Sequence, residues 1–162
     1  YYGYNRIETT LMRGATTLGG YTEAEALENK ACAIARSLGY SEIITYSFVS
    51  PTVFDNIRLP EDTPLRNAIR IINQLGEDTS IMRTVILPSM LDILARNYAY
   101  KNKGVKLYEL GRIYLPVEGH DLPDEPKRLI FGTYGEHEDF FSMKGVIEEF
   151  FDKVGMVIVA AI

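Results

Sequence analysis

Arg83 and Arg112 are the residues whose type suits them to phosphate chemistry, because a guanidinium is a permanent cation with forked donors. Glu109 and Asp78 are carboxylates available to both, and a buried pairing network is the reading favoured over a phosphate contact. His120 and His137 sit in acidic stretches with no second ligand at metal spacing, which predicts solvated surface histidines. Arg96, Lys101, Lys103 and Lys106 form a short basic strip with Tyr98 and Tyr100 interleaved, a pattern that could touch RNA. A solvated helix end explains the same strip more simply, since cations favour helix C-termini. Gly19-Gly20 is no phosphate loop, because no strand precedes it and no Lys-Ser/Thr follows. Cys32 is the single cysteine, which excludes an internal disulfide and a cysteine-rich metal site, and it reads as a small buried residue.

Composition sets the outer bounds. A chain of 162 residues is long enough for one domain with a core, burying about 68–70% of its extended surface. Seventeen Lys and Arg against 22 Asp and Glu give a net charge of −5. That balance argues against a dominant grip on nucleic acid, which clustered positive charge drives. No segment has the apolar length of a membrane span, and the start lacks a signal-peptide pattern. With one reduced cysteine, a cytoplasmic setting is the expectation. A chain opening on YYGY without methionine reads as a piece of something larger.

The candidate residues must be positioned by the stretch from Asn73 to Pro116. Ser80 to Val85 reads as extended, and Pro88 stands where a helix tolerates proline, at its first turn. Leu87, Leu91, Leu94 and Tyr98, backed by Met90 and Ile93, follow at helical spacing and predict one buried face. Asn102, Lys103 and Gly104 break the pattern. Val105 to Leu115 is a strand-rich run with Gly111 as a bulge or close-approach position.

On the N-terminal side, residues 1–20 read as a Gly-, Thr- and Tyr-rich lead-in, and residues 21–162 as the domain. Thr22 to Leu38 is predicted helical, with Thr22 and Glu25 as a capping box and Gly39 as the left-handed stop. Its apolar positions are Ala24, Leu27, Ala31, Ile34, Ala35 and Leu38. Ile44, Tyr46 and Phe48 alternate with Thr45 and Ser47, predicting a half-buried strand. A short helical turn over Val53 to Ile57, a loop over Arg58 to Asn67 and a strand over Ala68 to Ile72 complete this half. Beyond the central stretch, Val117 to Lys127 is a solvated connection and Arg128 to Tyr134 a strand. Asp139 to Gly155 is an amphipathic helix with Met143, Ile147, Phe150 and Val154 facing in. The tail VIVAAI departs from any pattern.

MRTVILPSMLDILARN followed by VKLYELGRIYLP resembles the synthetase-like core of the beta subunit of bacterial phenylalanine–tRNA ligase. That core is a degenerate copy of a class II aminoacyl-tRNA synthetase catalytic domain. YYGYNRIETTL resembles the end of the preceding domain in that family, which implies that the family's magnesium-binding carboxylates lie before this chain. Helix, Gly39-Tyr40, then strand resembles the first class II motif, which builds the subunit interface; Tyr46 stands near the place of that motif's proline. DFFSMKGVIEEFFDKVG resembles the Phe-x-x-Lys-Gly-x-x-Glu segment of both ligase subunits, with a shorter connection over Gly135 to Glu138.

The resemblance implies an α+β fold, an antiparallel sheet flanked by helices as in class II synthetase cores. It also implies that the chemistry is lost here. Where the alpha subunit carries Gly-Arg-Val-Phe-Arg-x-Glu, Gly111, Arg112, Ile113 and Tyr114 match, but Leu115 stands in the phosphate-binding arginine's place and Val117 in the glutamate's. A leucine cannot neutralise a phosphate in a transition state. Where the alpha subunit has Arg-Thr-His-Thr-Ser-Pro, this chain has Arg83, Thr84, then Val85, Ile86 and Leu87 before Pro88, so a polar pocket becomes core or interface.

The implied function is therefore that of a non-catalytic core, inactive alone, within a ligase that joins phenylalanine to its tRNA using ATP and magnesium. Its partner would be the alpha subunit, in an alpha–beta pair that dimerises, with the phenylalanine tRNA bound by the full assembly and no cofactor in this piece. Candidate interface residues are Ala24, Ala31 and Ala35, whose small size allows close helix approach, with Tyr40, Tyr46 and Phe48. Two alternatives stand beside this: a stand-alone ATP-using enzyme with Arg112 as replacement cation, and an RNA-binding or interaction module using Arg96 to Lys106.

Overall fold

The structure, a computed structural model, describes residues 3–156. Tyr1, Tyr2 and the VIVAAI tail lie outside the described residues. Residues 3–22 are exposed along their length and hold only a single turn at Tyr4–Arg6. The elements that follow are α1 (Glu23–Ser37), β1 (Ser41–Glu42), β2 (Phe48–Val49), α2 (Val53–Asn56), β3 (Ile81–Met82), α3 (Leu87–Ala99), β4 (Val105–Arg112), β5 (Lys127–Tyr134) and α4 (Phe140–Val154).

Both long amphipathic helices begin and end where their chemistry directs. The Thr22 hydroxyl accepts from the Glu25 amide while the Glu25 carboxylate accepts from the Thr22 amide, so the predicted capping box is present. Asp139 and Ser142 form an equivalent box at α4. Gly39 and Gly155 close the two helices at φ 87° and 94°, the left-handed region that glycine enters without a Cβ penalty.

The main sheet has the order β1-β4-β5, with β4 and β5 antiparallel over eight pairs from Val105↔Tyr134 to Arg112↔Lys127. The sheet is mixed rather than purely antiparallel, because β1 runs parallel to β4 through Ser41↔Leu107 and Glu42↔Tyr108. A parallel pair requires a long crossover, and residues 43–104, with α3, provide it. The strand expected over Ile44 to Phe48 is reduced to the two-residue β2, paired with β3. The strand expected over Ala68 to Ile72 is a single bridge, Arg70↔Ile81.

Strand alternation divides the sheet into two faces. Lys106, Tyr108 and Leu110 of β4 share one face with Thr133, Phe131 and Leu129 of β5. Ala35, Tyr40 and Tyr108 form the fully buried cluster there, with Cys32, Leu38, Leu129, Phe131 and Val146 packed around it. Edge-on aromatic contacts tie it together, Tyr40–Phe131 at 5.0 Å and Phe131–Phe150 at 5.3 Å. Burial first, then the bond to Glu42, pushes the Tyr108 phenol up to about 12, with Arg36 opposing. Tyr108 Oη donates to Glu42 Oε2 at 2.9 Å and accepts from Arg36 Nη1 at 3.0 Å.

The opposite face receives α3 at Gly132, where a Cβ would lie 2.7 Å from Met90 Sδ and 3.0 Å from Leu94 Cδ1. Met90 is 1% exposed, so it, with Ile86, Ile93, Leu94 and Asn97, defines the inward side of α3. Of the predicted inward residues, Met90, Ile93 and Leu94 thus face in, whereas Leu87, Leu91 and Tyr98 are turned outward, being 44%, 45% and 68% exposed. Apolar residues occupy more than half of the circumference of α3, so their spacing alone does not choose between the two sides.

Candidate functional site

Four of the five aliphatic positions singled out in the sequence are brought together on the α3 face. The chain leaves β3 at Met82, runs irregularly through Arg83, Thr84 and Val85, and enters α3 through Ile86 and Leu87. The Thr84 hydroxyl donates to the Leu65 carbonyl and pins this passage. Leu115 is fixed from the other side, its amide donating to Asp124 O at 2.8 Å and its carbonyl accepting from the Asp124 amide at 2.9 Å. Val85, Ile86, Leu87 and Leu115 thereby line one cleft of about 400 Å³, floored by Ile113 and Ile130. Val117 is exposed and lies outside the cleft lining, because the chain turns away after the Leu115 bridge. Only Ile86 of the aliphatic replacements is buried; Val85 and Leu115 are half-buried and Leu87 is exposed.

One cation borders the cleft, and it is Arg128 rather than Arg112. Arg112, one residue on from Gly111, belongs to the opposite face of the sheet by strand alternation, and its Nη1 donates to Glu125 O at 3.2 Å and lies 3.7 Å from the Glu125 carboxylate. Arg128 reaches the cleft because β5 places it opposite Gly111. Its sequence position after Lys127 carries no motif, so only the strand register could have exposed it. The other lining side chains offer a nucleotide no charged donor.

Arg83 is only 3% exposed and fully engaged in the interior. Its Nη1 lies 2.9 Å from Glu109 Oε1 and 2.7 Å from Thr45 Oγ1, and its Nε donates to Arg112 O at 2.8 Å. The predicted buried pairing with Glu109 is therefore present, while Asp78 is exposed and joins neither arginine. Gly111 is the predicted close-approach position: a Cβ there would lie 2.3 Å from Arg83 Nη2 and 2.8 Å from Glu109 Oε1.

Next to this pair, the segment from residue 43 to β2 alternates as its sequence does, and the structure decides which set turns outward. Thr45 and Ser47 turn inward; Ile44, Tyr46 and Phe48 turn outward, 91%, 82% and 47% exposed. Glu109 fixes this parity, since its carboxylate accepts from the Thr45 hydroxyl at 2.8 Å and from the Thr45 amide at 3.4 Å. Of the other interface candidates, Ala24 is exposed and Ala31 half-buried. Ala35 and Tyr40 belong to the core and form no outer surface, because both pack on Tyr108 beneath α1.

The basic strip does not form one patch. Lys106 is turned by strand alternation toward α4, where it pairs with Glu138 at 2.7 Å. This contact is the leading cause that holds the Glu138 carboxyl below its ordinary value and the Lys106 amine above its own. Lys101 and Lys103 share a hollow with Tyr98 and Tyr134, whereas Arg96 lines a separate one with Asp92 and Asp78. His120 and His137 are exposed. Among the described residues no group of three or more His, Cys, Asp or Glu is placed to hold a metal ion, and no helix is long and apolar enough to cross a membrane.

Residues 7–161 match the family described as phenylalanyl tRNA synthetase beta chain CLM domain. The chain belongs to that family. It is 41% identical over 156 residues to the phenylalanine–tRNA ligase beta subunit of Clostridium tetani, covering 96% of this chain and 20% of that protein. The beta subunit of Geobacter metallireducens is 37% identical over 169 residues, covering 96% and 21%. The chain thus spans about one fifth of the length of these relatives. Among solved structures, pyrrolysyl-tRNA synthetase from Desulfitobacterium hafniense superposes with a TM-score of 0.65 at 15% identity, over 83% of this chain and 48% of that one. A second structure of that enzyme gives 0.63 at 13% identity, over 83% and 46%. The α+β synthetase fold is shared at an identity that speaks for the fold alone.

Proposed function

We propose that this chain is the non-catalytic core of a phenylalanine–tRNA ligase beta subunit, and that the complete protein works with an alpha subunit to join phenylalanine to its tRNA at the expense of ATP. The observation that carries this reading is the cleft lined by Val85, Ile86, Leu87 and Leu115. A site that activates an amino acid must stabilise charge developing on a phosphate, and it does so with preorganised cations and donors. This cleft presents hydrocarbon where those groups would stand, and Arg83 is spent on Glu109. ATP and magnesium do not fit such a lining, so no step of the reaction is placed here. They are assigned to the full assembly, as is the phenylalanine tRNA, in a cytoplasmic setting.

Residues 21–162 are read as this core and residues 1–20 as the link to what precedes it. The core's task is to carry the alpha subunit, through the outward row Ile44, Tyr46 and Phe48. Three large apolar side chains exposed in alternate positions of one short segment are the kind of surface that a partner covers. Co-purification of full-length subunits carrying Tyr46→Asp tests this. The complex should dissociate while the mutant subunit keeps its helical circular dichroism and melting temperature; an intact complex in analytical ultracentrifugation would place the partner surface elsewhere.

A further inference from the structure

We propose that the buried Arg83–Glu109 pair is a positioning device for the partner surface, acting through Thr45 to hold Ile44 and Tyr46 outward. The inference rests on the partner-surface reading given above. Between β1 and β2 the chain lacks a continuous ladder. Ile43 N donates to Tyr108 O at 2.9 Å, and the next backbone bond inward is Arg83 N to Ser47 O, also 2.9 Å. Residues 44–46 fall in that gap, and one side chain fills it. The Glu109 carboxylate accepts from both the amide and the hydroxyl of Thr45, and the Arg83 guanidinium donates to the same hydroxyl at 2.7 Å.

The geometry has a direct consequence for the row. Side chains of an extended segment alternate, so anchoring Thr45 inward sends Ile44 and Tyr46 outward. An apolar residue at position 45 would lack any attraction to the carboxylate. The intrinsic pattern would then favour the opposite parity, with Ile44 and Tyr46 turned toward the interior, since their burial is what the hydrophobic effect rewards. The ion pair is 3% exposed on both sides, so its two charges are costly to bury and need every partner present. Thr45 is one of those partners. A pair that is an expensive way to fill a core is therefore coupled to the display of an aromatic side chain on the surface. Arg83 and Glu109 touch no substrate in this account; they are positioning residues.

The test uses full-length beta subunit with its alpha partner and the variants Thr45→Val, Thr45→Ser and Tyr46→Asp. Association is measured by sedimentation and stability by thermal melting. A hydrogen bond to a charged group supports an expected loss of about tenfold in association for Thr45→Val. Thr45→Val should melt somewhat lower than wild type, because the buried charges lose a partner, yet stay folded at the assay temperature. Thr45→Ser, which keeps the hydroxyl, should melt and associate as the wild type. Normal association by Thr45→Val overturns the proposal, as does an equal defect in Thr45→Ser. If Tyr46→Asp dissociates the complex while Thr45→Val does not, the partner surface stands and only its positioning by the pair falls. If Tyr46→Asp associates normally, the surface reading itself falls. A measurement independent of any variant is hydrogen exchange at the Thr45 amide in the free wild-type subunit. Protection before the partner binds is expected, and protection acquired only in the complex overturns the proposal.

Discussion

On one face of the sheet, Ala35, Tyr40, Phe131 and Phe150 close against α1 and α4 with hydrocarbon and aromatic edges. On the other, Arg83, Glu109 and Thr84 are buried beside Met90 and Ile86 with the half-buried Thr45 bonded to them, while Ile44, Tyr46, Leu87 and Leu91 remain outside. The first sheet face is covered by its own helices, although Phe140 and Phe141 stand exposed at the start of α4. The second spends its interior on polar groups and leaves apolar side chains for something else to cover. That inversion is physically expensive, since a domain folding only for itself would exchange the two sets. It makes sense if the second face serves an assembly, as proposed above, and its cleft is lined mostly by hydrocarbon.

The contrast can be broken first at the ion pair. Glu109→Ala leaves the Arg83 guanidinium buried without its counter-charge and should cost about 3–5 kcal/mol. Denaturant midpoints would show it; a loss similar to that of a surface substitution would mean that water already reaches the pair. The next test separates the two sides of α3. Met90→Ala should cost about 2–5 kcal/mol as a large-to-small change in a packed site. Leu91→Ala, one position on and half exposed, should cost under about 1 kcal/mol. The reverse order would restore the orientation that spacing suggested.

Legibility followed the same division. The capping box of Thr22 and Glu25, the glycine stops at Gly39 and Gly155, and the strand pair around Gly111 depend on neighbours within a few residues, and each was legible in the chain. The parity of residues 43–48 was not, because it is set by Glu109 and Arg83, 64 and 38 residues from Thr45. Nor was the parallel pairing of β1, which depends on the path of a long crossover. Within the site, Val85, Ile86, Leu87 and Leu115 could be singled out from the resemblance, and the structure places all four on one cleft. Arg128 could not, since only the pairing with Gly111 brings it to the cleft.

Smaller effects sharpen the closed face. Thr22→Ala removes the hydroxyl half of the α1 cap and should cost about 1 kcal/mol in melting or denaturant experiments. The Tyr108 phenol predicts a pH effect of defined sign. Its native value of about 12 lies above the ordinary 10.0, so between the two the native state holds a proton that the unfolded chain has released. The associated stability is fully present below pH 10.0 and is lost as pH rises toward 12. Tyr108→Phe should flatten the dependence of the denaturant midpoint on pH in that window. An unchanged slope would assign the alkaline loss to other groups.

The cleft itself decides whether the second face has given up its chemistry. Isolated full-length beta subunit should be titrated with ATP and magnesium in a calorimeter, beside the variant Arg128→Ala, which removes the one cation on the cleft. The account predicts no saturable heat attributable to the cleft and no difference between the two proteins. Micromolar ATP affinity in the wild type that disappears in Arg128→Ala would contradict it, and would show that a nucleotide still occupies the place where Leu115 stands.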